Sequence, residues 1–165
     1  MSYHIYTTRG IVLAERPIRE ADRIYTILTC DLGLIRAMAI GVRKEASKLR
    51  GNIEPFSLAS VSLVRGREYW RLTSAEYIQN IPSLPSVARP LSLLSQLVQG
   101  EAPHPELFGA IEETILSSDH EDKMFEVGLV SKILLHLGYL KASDMDLNKE
   151  SLIKAINNGI QASHL

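Results

Sequence analysis

The sequence predicts an α+β chain in two parts: a small five-stranded barrel over residues 1–80, then an α-helical bundle over residues 81–165. Three observations carry this expectation. Period-two alternation rich in β-branched residues dominates the first half, and a period near 3.6 dominates the second. Between them, Ile81-Pro82-Ser83-Leu84-Pro85 breaks both patterns and marks a boundary.

The elements follow in order. Thr8–Leu13 is short and β-branched. Asp22–Cys30 alternates, with Ile24, Thr26 and Leu28 on one face and Arg23, Tyr25, Ile27 and Thr29 on the other. Asp31-Leu32-Gly33 is a turn, and Leu34–Ile40 is a third strand. Gly41–Asn52 is a charged, exposed loop bracketed by glycines 41 and 51, with room for a short helix over Glu45–Leu49. Ile53–Val64 and Glu68–Ile78 flank Arg65-Gly66-Arg67, a hairpin signal with glycine at its tip. Five strands in so short a stretch, with no long helix between them, fit an OB-fold; an SH3-like barrel is the alternative.

In the second half, Leu91, Leu94, Leu97 and Val98 form an apolar stripe, with Pro90 near the helix start. Pro105 opens a helix carrying Leu107, Phe108, Ile111 and Ile115. Glu121–Leu140 reads as the strongest helix, and Asn148 as the N-cap of a last one carrying Leu152, Ile153, Ile156 and Ile160. Together these make a compact bundle.

With 165 residues, 45% of them hydrophobic and 22% charged, the chain has the composition of an ordinary folded protein, not a collagen-like, disordered or disulfide-rich one. Cys30 is its only cysteine, which excludes an intramolecular disulfide and any multi-cysteine zinc site. No apolar run approaches the roughly 20 residues that span a bilayer, and the first residues lack a secretory apolar stretch. A soluble protein of a reducing compartment is expected.

The net charge of −1 conceals a division. Residues 1–80 hold twelve Lys/Arg, ten of them arginine, against eight Asp/Glu, whereas residues 81–165 hold six against eleven. The first half therefore carries +4 and the second −5, which points to an anionic partner for the first half.

Catalytic signatures are missing. The five histidines are scattered, and there is no phosphate-binding glycine loop and no nucleophile elbow. Cys30 ends an apolar strand and reads as a packing residue. Glu112-Glu113 and Glu121-Asp122 are adjacent on helices, so their carboxylates diverge instead of converging on a metal or substrate. The chain is not read as an enzyme, and it needs no cofactor.

What is present suits polyanions. Binding nucleic acid without base readout takes cations along the phosphates and flat rings for the bases. Arg23 and Tyr25 lie two residues apart on one strand face. In the hairpin, Trp70 and Leu72 are assigned to the core, so Tyr69 and Arg71 point outward. Arg43, Lys44, Lys48 and Arg50 fall within one loop whose only acid is Glu45, and Arg36 lies on the strand leading into it. Arg19 precedes the second strand, and Arg65 and Arg67 flank the hairpin tip. For Tyr25 and Tyr69 the competing reading is a half-buried barrel residue with arginine stems covering apolar edges.

The residues also resemble a family. Arg16-Pro17-Ile18-Arg19-Glu20-Ala21-Asp22-Arg23-Ile24 with Leu28-Thr29 is similar to the first-strand region of the RecO recombination mediators. Gly33-Leu34-Ile35-Arg36, Gly41-Val42-Arg43-Lys44, Ser47-Lys48-Leu49, Pro55-Phe56 and Ser74-Ala75-Glu76 follow in that family's order. Glu106-Leu107-Phe108, Phe125-Glu126 and Leu137-Gly138-Tyr139 resemble its helical signatures. The resemblance implies an OB-fold and a helical domain in a bacterial, cytoplasmic, nucleoid-associated protein. It implies binding of single- and double-stranded DNA, strand annealing, and contacts with the tail of the single-stranded-DNA-binding protein and with RecR, so that RecA can load during repair. The family's basic loop corresponds to Arg43, Lys44, Lys48 and Arg50. Many members carry a four-cysteine zinc site after Leu-Gly-Tyr; Leu140–Leu147 holds no cysteine, so zinc is not expected. Members usually continue beyond this length, so a fragment and a pared-down member both fit. Two other functions compete: a protein-interaction adaptor using the helical half, and an RNA-binding barrel, since phosphate contact and stacking do not separate RNA from DNA.

Overall fold

In the computed structural model, residues 3–164 are described. Five strands come first: β1 (Ile5–Pro17), β2 (Arg23–Thr29), β3 (Gly33–Ala39), β4 (Ser57–Val64) and β5 (Trp70–Asn80). Four helices follow: α1 (Pro85–Leu97), α2 (Pro105–Ser117), α3 (Phe125–His136) and α4 (Lys149–Ala162). The α+β order expected from the periodicity is therefore found. The chain divides into two compact units. One comprises the chain up to Ile81 together with Gly100–Pro105, and the other Pro82–Gln99 and the chain from Glu106 onward.

The strands pair in the order β1-β2-β3-β5-β4 and close into a barrel, because β1 pairs with both β2 and β4. Ile5 to Val12 lie against β4, and Gly10 to Pro17 against β2, with a register shift between Val12 and Ala14. This double pairing explains why β1 outruns Thr8–Leu13. Its exposed ends are held by backbone bonds and need no hydrophobic pattern. The contact between β3 and β5 is short and parallel, Ala37 opposite Trp70 and Met38 opposite Arg71.

The barrel core comprises Val12, Tyr25, Ile27, Ile35, Ala37, Val61, Leu63, Trp70 and Leu72, among others. Trp70 and Leu72 point inward as the alternation predicts; both are buried, while Arg71 between them is exposed. On β2 the inward row is Tyr25 and Ile27, and the outer row of Ile24 and Leu28 is buried as well. Alternation alone could not say which apolar row of β2 faced the core.

The segment between β3 and β4 forms no helix, contrary to the short one considered over Glu45–Leu49. It is a succession of turns, closed by backbone bonds from Lys44 to Gly41, Ser47 to Lys44, Arg50 to Ser47 and Asn52 to Leu49. β4 starts later than Ile53 because Phe56, after Pro55, takes a φ of 56° that no strand continues through.

In the second unit, α1 begins at Pro85 and contains Pro90 in its interior, one turn earlier than expected. α3 is shorter than Glu121–Leu140. The Asp119 and Asp122 carboxylates accept from the backbone N–H groups of Glu121 and Met124, which competes with helix formation before Phe125. Gly138, at φ 84°, ends the helix, and the Tyr139 N–H returns to the Leu134 carbonyl. α1 packs on α3, and α3 on α4. Leu134, Leu140, Leu152 and Ile156 form a core there.

Asn148 caps α4 as its sequence position implied, its side-chain oxygen accepting the Ser151 N–H at 2.9 Å. Asn148→Ala should lower stability by about 1 kcal/mol. This would be read as an earlier urea midpoint with an unchanged denaturant slope.

Candidate nucleic-acid interface

The basic segment between β3 and β4 is fastened at both ends. Asp22, buried at the β1–β2 loop, accepts the Gly41 N–H at 2.7 Å. The Arg43 N–H bonds the Ala21 carbonyl at 3.2 Å, and the Arg43 guanidinium bonds the Glu20 carbonyl at 3.2 Å. Further along, Val42, Leu49 and Ile53 enter the barrel core. Each such burial contributes about 1.5–3 kcal/mol, more than an exposed ion pair supplies. Apolar anchors therefore hold the segment, and Arg43, Lys44, Lys48 and Arg50 are left exposed between them.

Two groups of candidate side chains emerge. Arg23, Arg43 and Arg50 line one cleft, which also holds Glu15 and Glu54. Arg23 is half-buried there and donates to the Asp22 carbonyl at 3.3 Å. The second group lies on β3, β5 and the β4–β5 hairpin. The Arg36 guanidinium sits 5.6 Å from the centre of the half-buried Tyr69 ring. Arg67, Tyr69 and Arg71 line a neighbouring hollow with Met38 and Ile40. The hairpin is tight at Gly66, where a Cβ would come within 2.0 Å of the Tyr69 carbonyl oxygen. Arg65 stacks over Trp70 at 4.7 Å and pairs with Glu101. Arg19 stands apart on the β1–β2 loop, 3.7 Å from Asp22. Among the described residues, the other basic candidates form no ion pair with a carboxylate.

Tyr25 requires correction. Of its two readings, a base-stacking ring beside Arg23 and a barrel residue, the first fails: Tyr25 is 3% exposed and belongs to the barrel core. Bases cannot stack on it. Burial, aided by a hydrogen bond to the Glu15 carboxylate, raises its phenol from 10.0 to about 12. Tyr69 is half-buried with the Arg36 guanidinium over its ring, the arrangement in which an arginine stem covers an aromatic edge.

Sequence reasoning missed three contributors. Asp22 stands in the sequence only as part of a motif, and its role in tying two loops together depends on a pairing far apart in sequence. Tyr6, 38% exposed, meets Trp70 edge-on at 5.3 Å. Glu101 follows the sequence boundary at 81 and so falls in the expected helical half, yet its segment belongs to the barrel unit.

No cluster of three or more His, Cys, Asp or Glu among the described residues could hold a metal. The residues after Leu137-Gly138-Tyr139 do not fit the zinc site of cysteine-bearing RecO proteins, since none of them is cysteine. No described helix is long and apolar enough to cross a membrane.

Residues 1–81 match the family model described as Recombination protein O N terminal. Through its amino-terminal half, the chain belongs to the RecO family. Relatives bearing the name DNA repair protein RecO support this. The one from Synechococcus sp. (strain JA-2-3B'a(2-13)) is 45% identical over 93 residues, covering 51% of this chain and 33% of the relative. That of Gloeobacter violaceus is 32% identical over 143 residues, covering 87% and 49%. That of Dehalococcoides mccartyi (strain BAV1) is 31% identical over 141 residues, covering 78% and 56%. The chain thus spans from about a third to just over half the length of these RecO relatives.

The raised Tyr25 phenol has a consequence for stability. A group whose folded pKa exceeds its unfolded value stabilises fully below the unfolded value and loses that contribution as pH rises toward the folded one. Stability should therefore fall between pH 10 and about 12. Tyr25→Phe should flatten that part of the profile in denaturant titrations at stepped pH.

Proposed function

We propose that this RecO-family chain is a non-catalytic mediator of DNA repair and recombination, whose barrel binds single- and double-stranded DNA and promotes annealing of complementary strands. The observation that carries the reading is the set of cations on the β3–β4 segment and the hairpin, exposed and, apart from Arg65, without a carboxylate partner among the described residues. The strand order β1-β2-β3-β5-β4 fits an OB-fold. In that fold the β2–β3 face and the β1–β2 and β4–β5 loops receive oligonucleotides. Arg36 lies on that face, Arg19 on the first loop, and Arg65 and Arg67 on the second. Names of the relatives support DNA repair as the setting.

In this mechanism no covalent step occurs. Guanidinium and ammonium groups neutralise phosphates on two strands, lower their mutual repulsion and let bases find complements. Arginine suits this work because its planar fork grips phosphate oxygens in pairs. Loading of a recombinase onto coated single strands, contacts with a single-stranded-DNA-binding protein tail and a RecR-like mediator, and residence at the nucleoid belong to the same proposal.

A second reading, a protein-binding adaptor, is favoured by one feature of the helical unit. α1, α3 and α4 leave an apolar groove of about 400 Å³ lined by Leu93, Val127, Val130, Ile153 and Ile156. At its rim, Arg89 and Glu126 form a two-point ion pair at 2.8 and 2.7 Å. Both functions can coexist on separate units.

Oligonucleotide binding measured against salt should give a log–log slope of about −3 to −4, as four to six phosphate contacts at roughly −0.7 each would produce. Replacing Arg43, Lys44, Lys48 and Arg50 together by alanine should flatten this slope and slow annealing of complementary strands. The melting temperature should change little, because the anchors Val42, Leu49 and Ile53 remain. An unchanged slope would remove the basic segment from the interface, whereas binding of RNA alone would favour the RNA reading.

A further inference from the structure

We propose that the Arg65 guanidinium and the Trp70 indole N–H form a subsite for one phosphodiester group, occupied in the free protein by the carboxylate of Glu101. The proposal rests on the nucleic-acid reading above and names one point of contact within it. Trp70 donates its Nε1–H to Glu101 Oε1 at 3.1 Å, and Arg65 Nη1 donates to Glu101 Oε2. The Arg65 guanidinium also lies over the Trp70 ring. One carboxylate thus bridges two converging donors with its two oxygens. A phosphodiester offers the same features to such a pair: one negative charge and two unesterified oxygens.

The arrangement is placed by the fold. Trp70 is buried, so its N–H direction is set by core packing. The backbone carrying Glu101 rests directly on the β2–β3 turn. At Gly33, where φ is +73°, an added Cβ would come within 2.4 Å of the Ala102 carbonyl oxygen and 2.8 Å of the Glu101 carbonyl carbon. The occupant, by contrast, is replaceable. The Arg65 side chain is 61% exposed and that of Glu101 42%, and ion pairs so exposed are weakly held. Arg65 also lines a groove with Arg71, which places a second cation along the route a strand leaving the subsite would take. Glu101 is therefore an internal competitor that lowers affinity for nucleic acid without touching the other cations.

Anisotropy titrations of a labelled single-stranded oligothymidylate would compare the full chain with Glu101→Gln, Glu101→Ala, Arg65→Ala and the Arg65→Ala/Glu101→Gln pair. Gln keeps the shape and one acceptor oxygen but removes the charge, while Ala empties the position. Both Glu101 variants should bind about three- to tenfold more tightly, as displacing a weak ion pair implies. The salt slope should steepen by about 0.7, the contribution of one additional phosphate. The double variant should lose the gain. Because Trp70 is the only tryptophan, its fluorescence gives a second readout. Inorganic phosphate should produce a saturable change in Glu101→Gln that is absent in the double variant. Unchanged or weaker oligonucleotide binding by both Glu101 variants, with the unaltered chain still binding, overturns the subsite and leaves the nucleic-acid reading intact. If the unaltered chain binds no oligonucleotide at low salt, the nucleic-acid reading fails. The phosphate response of Trp70 then decides the anion subsite by itself, and its absence overturns that too.

Discussion

Val42, Leu49 and Ile53 enter the barrel core from a segment whose remaining side chains are largely charged. Without them the stretch between β3 and β4 would be a polar loop free to sample many conformations, and its cations would have no defined positions. With them, the backbone is drawn in at three points, and Arg43, Lys44, Lys48 and Arg50 project between those points. The Asp22 carboxylate adds direction. By accepting the Gly41 N–H it joins the start of this segment to the β1–β2 loop, so two loops remote in sequence become one rim. A buried carboxylate without partners would be costly; here a backbone donor and the nearby Arg19 offset its burial.

The cationic surface is not uniform. The cleft of Arg23, Arg43 and Arg50 includes Glu15 and Glu54, whereas the hollow beside Tyr69 combines Arg67 and Arg71 with apolar Met38 and Ile40. A mixed-sign cleft attracts a polyanion less strongly but exchanges it more readily. A cation-and-ring surface suits an unstacked base with its phosphate. The annealing we propose requires strands to be held and then released, and a surface composed of weak and stronger contacts suits that proposal better than one dense cluster of positive charge.

Much of this architecture could be read directly from residue order. Glycine at 66 between two arginines, the inward pair Trp70 and Leu72, Pro105 opening α2 and Asn148 capping α4 are all local signals, and local signals survive in a single sequence. Tyr25 stays ambiguous in the sequence because β2 has two apolar rows, and only closure of the barrel determines which one is interior. α3 is shorter than its periodicity predicts because Asp119 and Asp122 turn their carboxylates on the backbone, a preference that periodicity does not register. The role of Asp22 and the company kept by Glu101 are long-range facts, fixed by pairings across 19 and 31 residues. No window along the chain contains them.

Gly100–Pro105 groups with the barrel, although the residues before and after it belong to the helical unit. The polypeptide therefore passes from one unit to the other three times, not once. Cutting it after Ile81, where the family match ends, would yield a shorter barrel stripped of a peptide that its own β2–β3 turn is shaped to receive. Gly33 would then face solvent and the indole N–H of Trp70 would need water as its acceptor. The boundary recognised by comparison of sequences and the boundary of the physical object are displaced from each other, and the displacement falls on the part of the barrel that carries its single tryptophan.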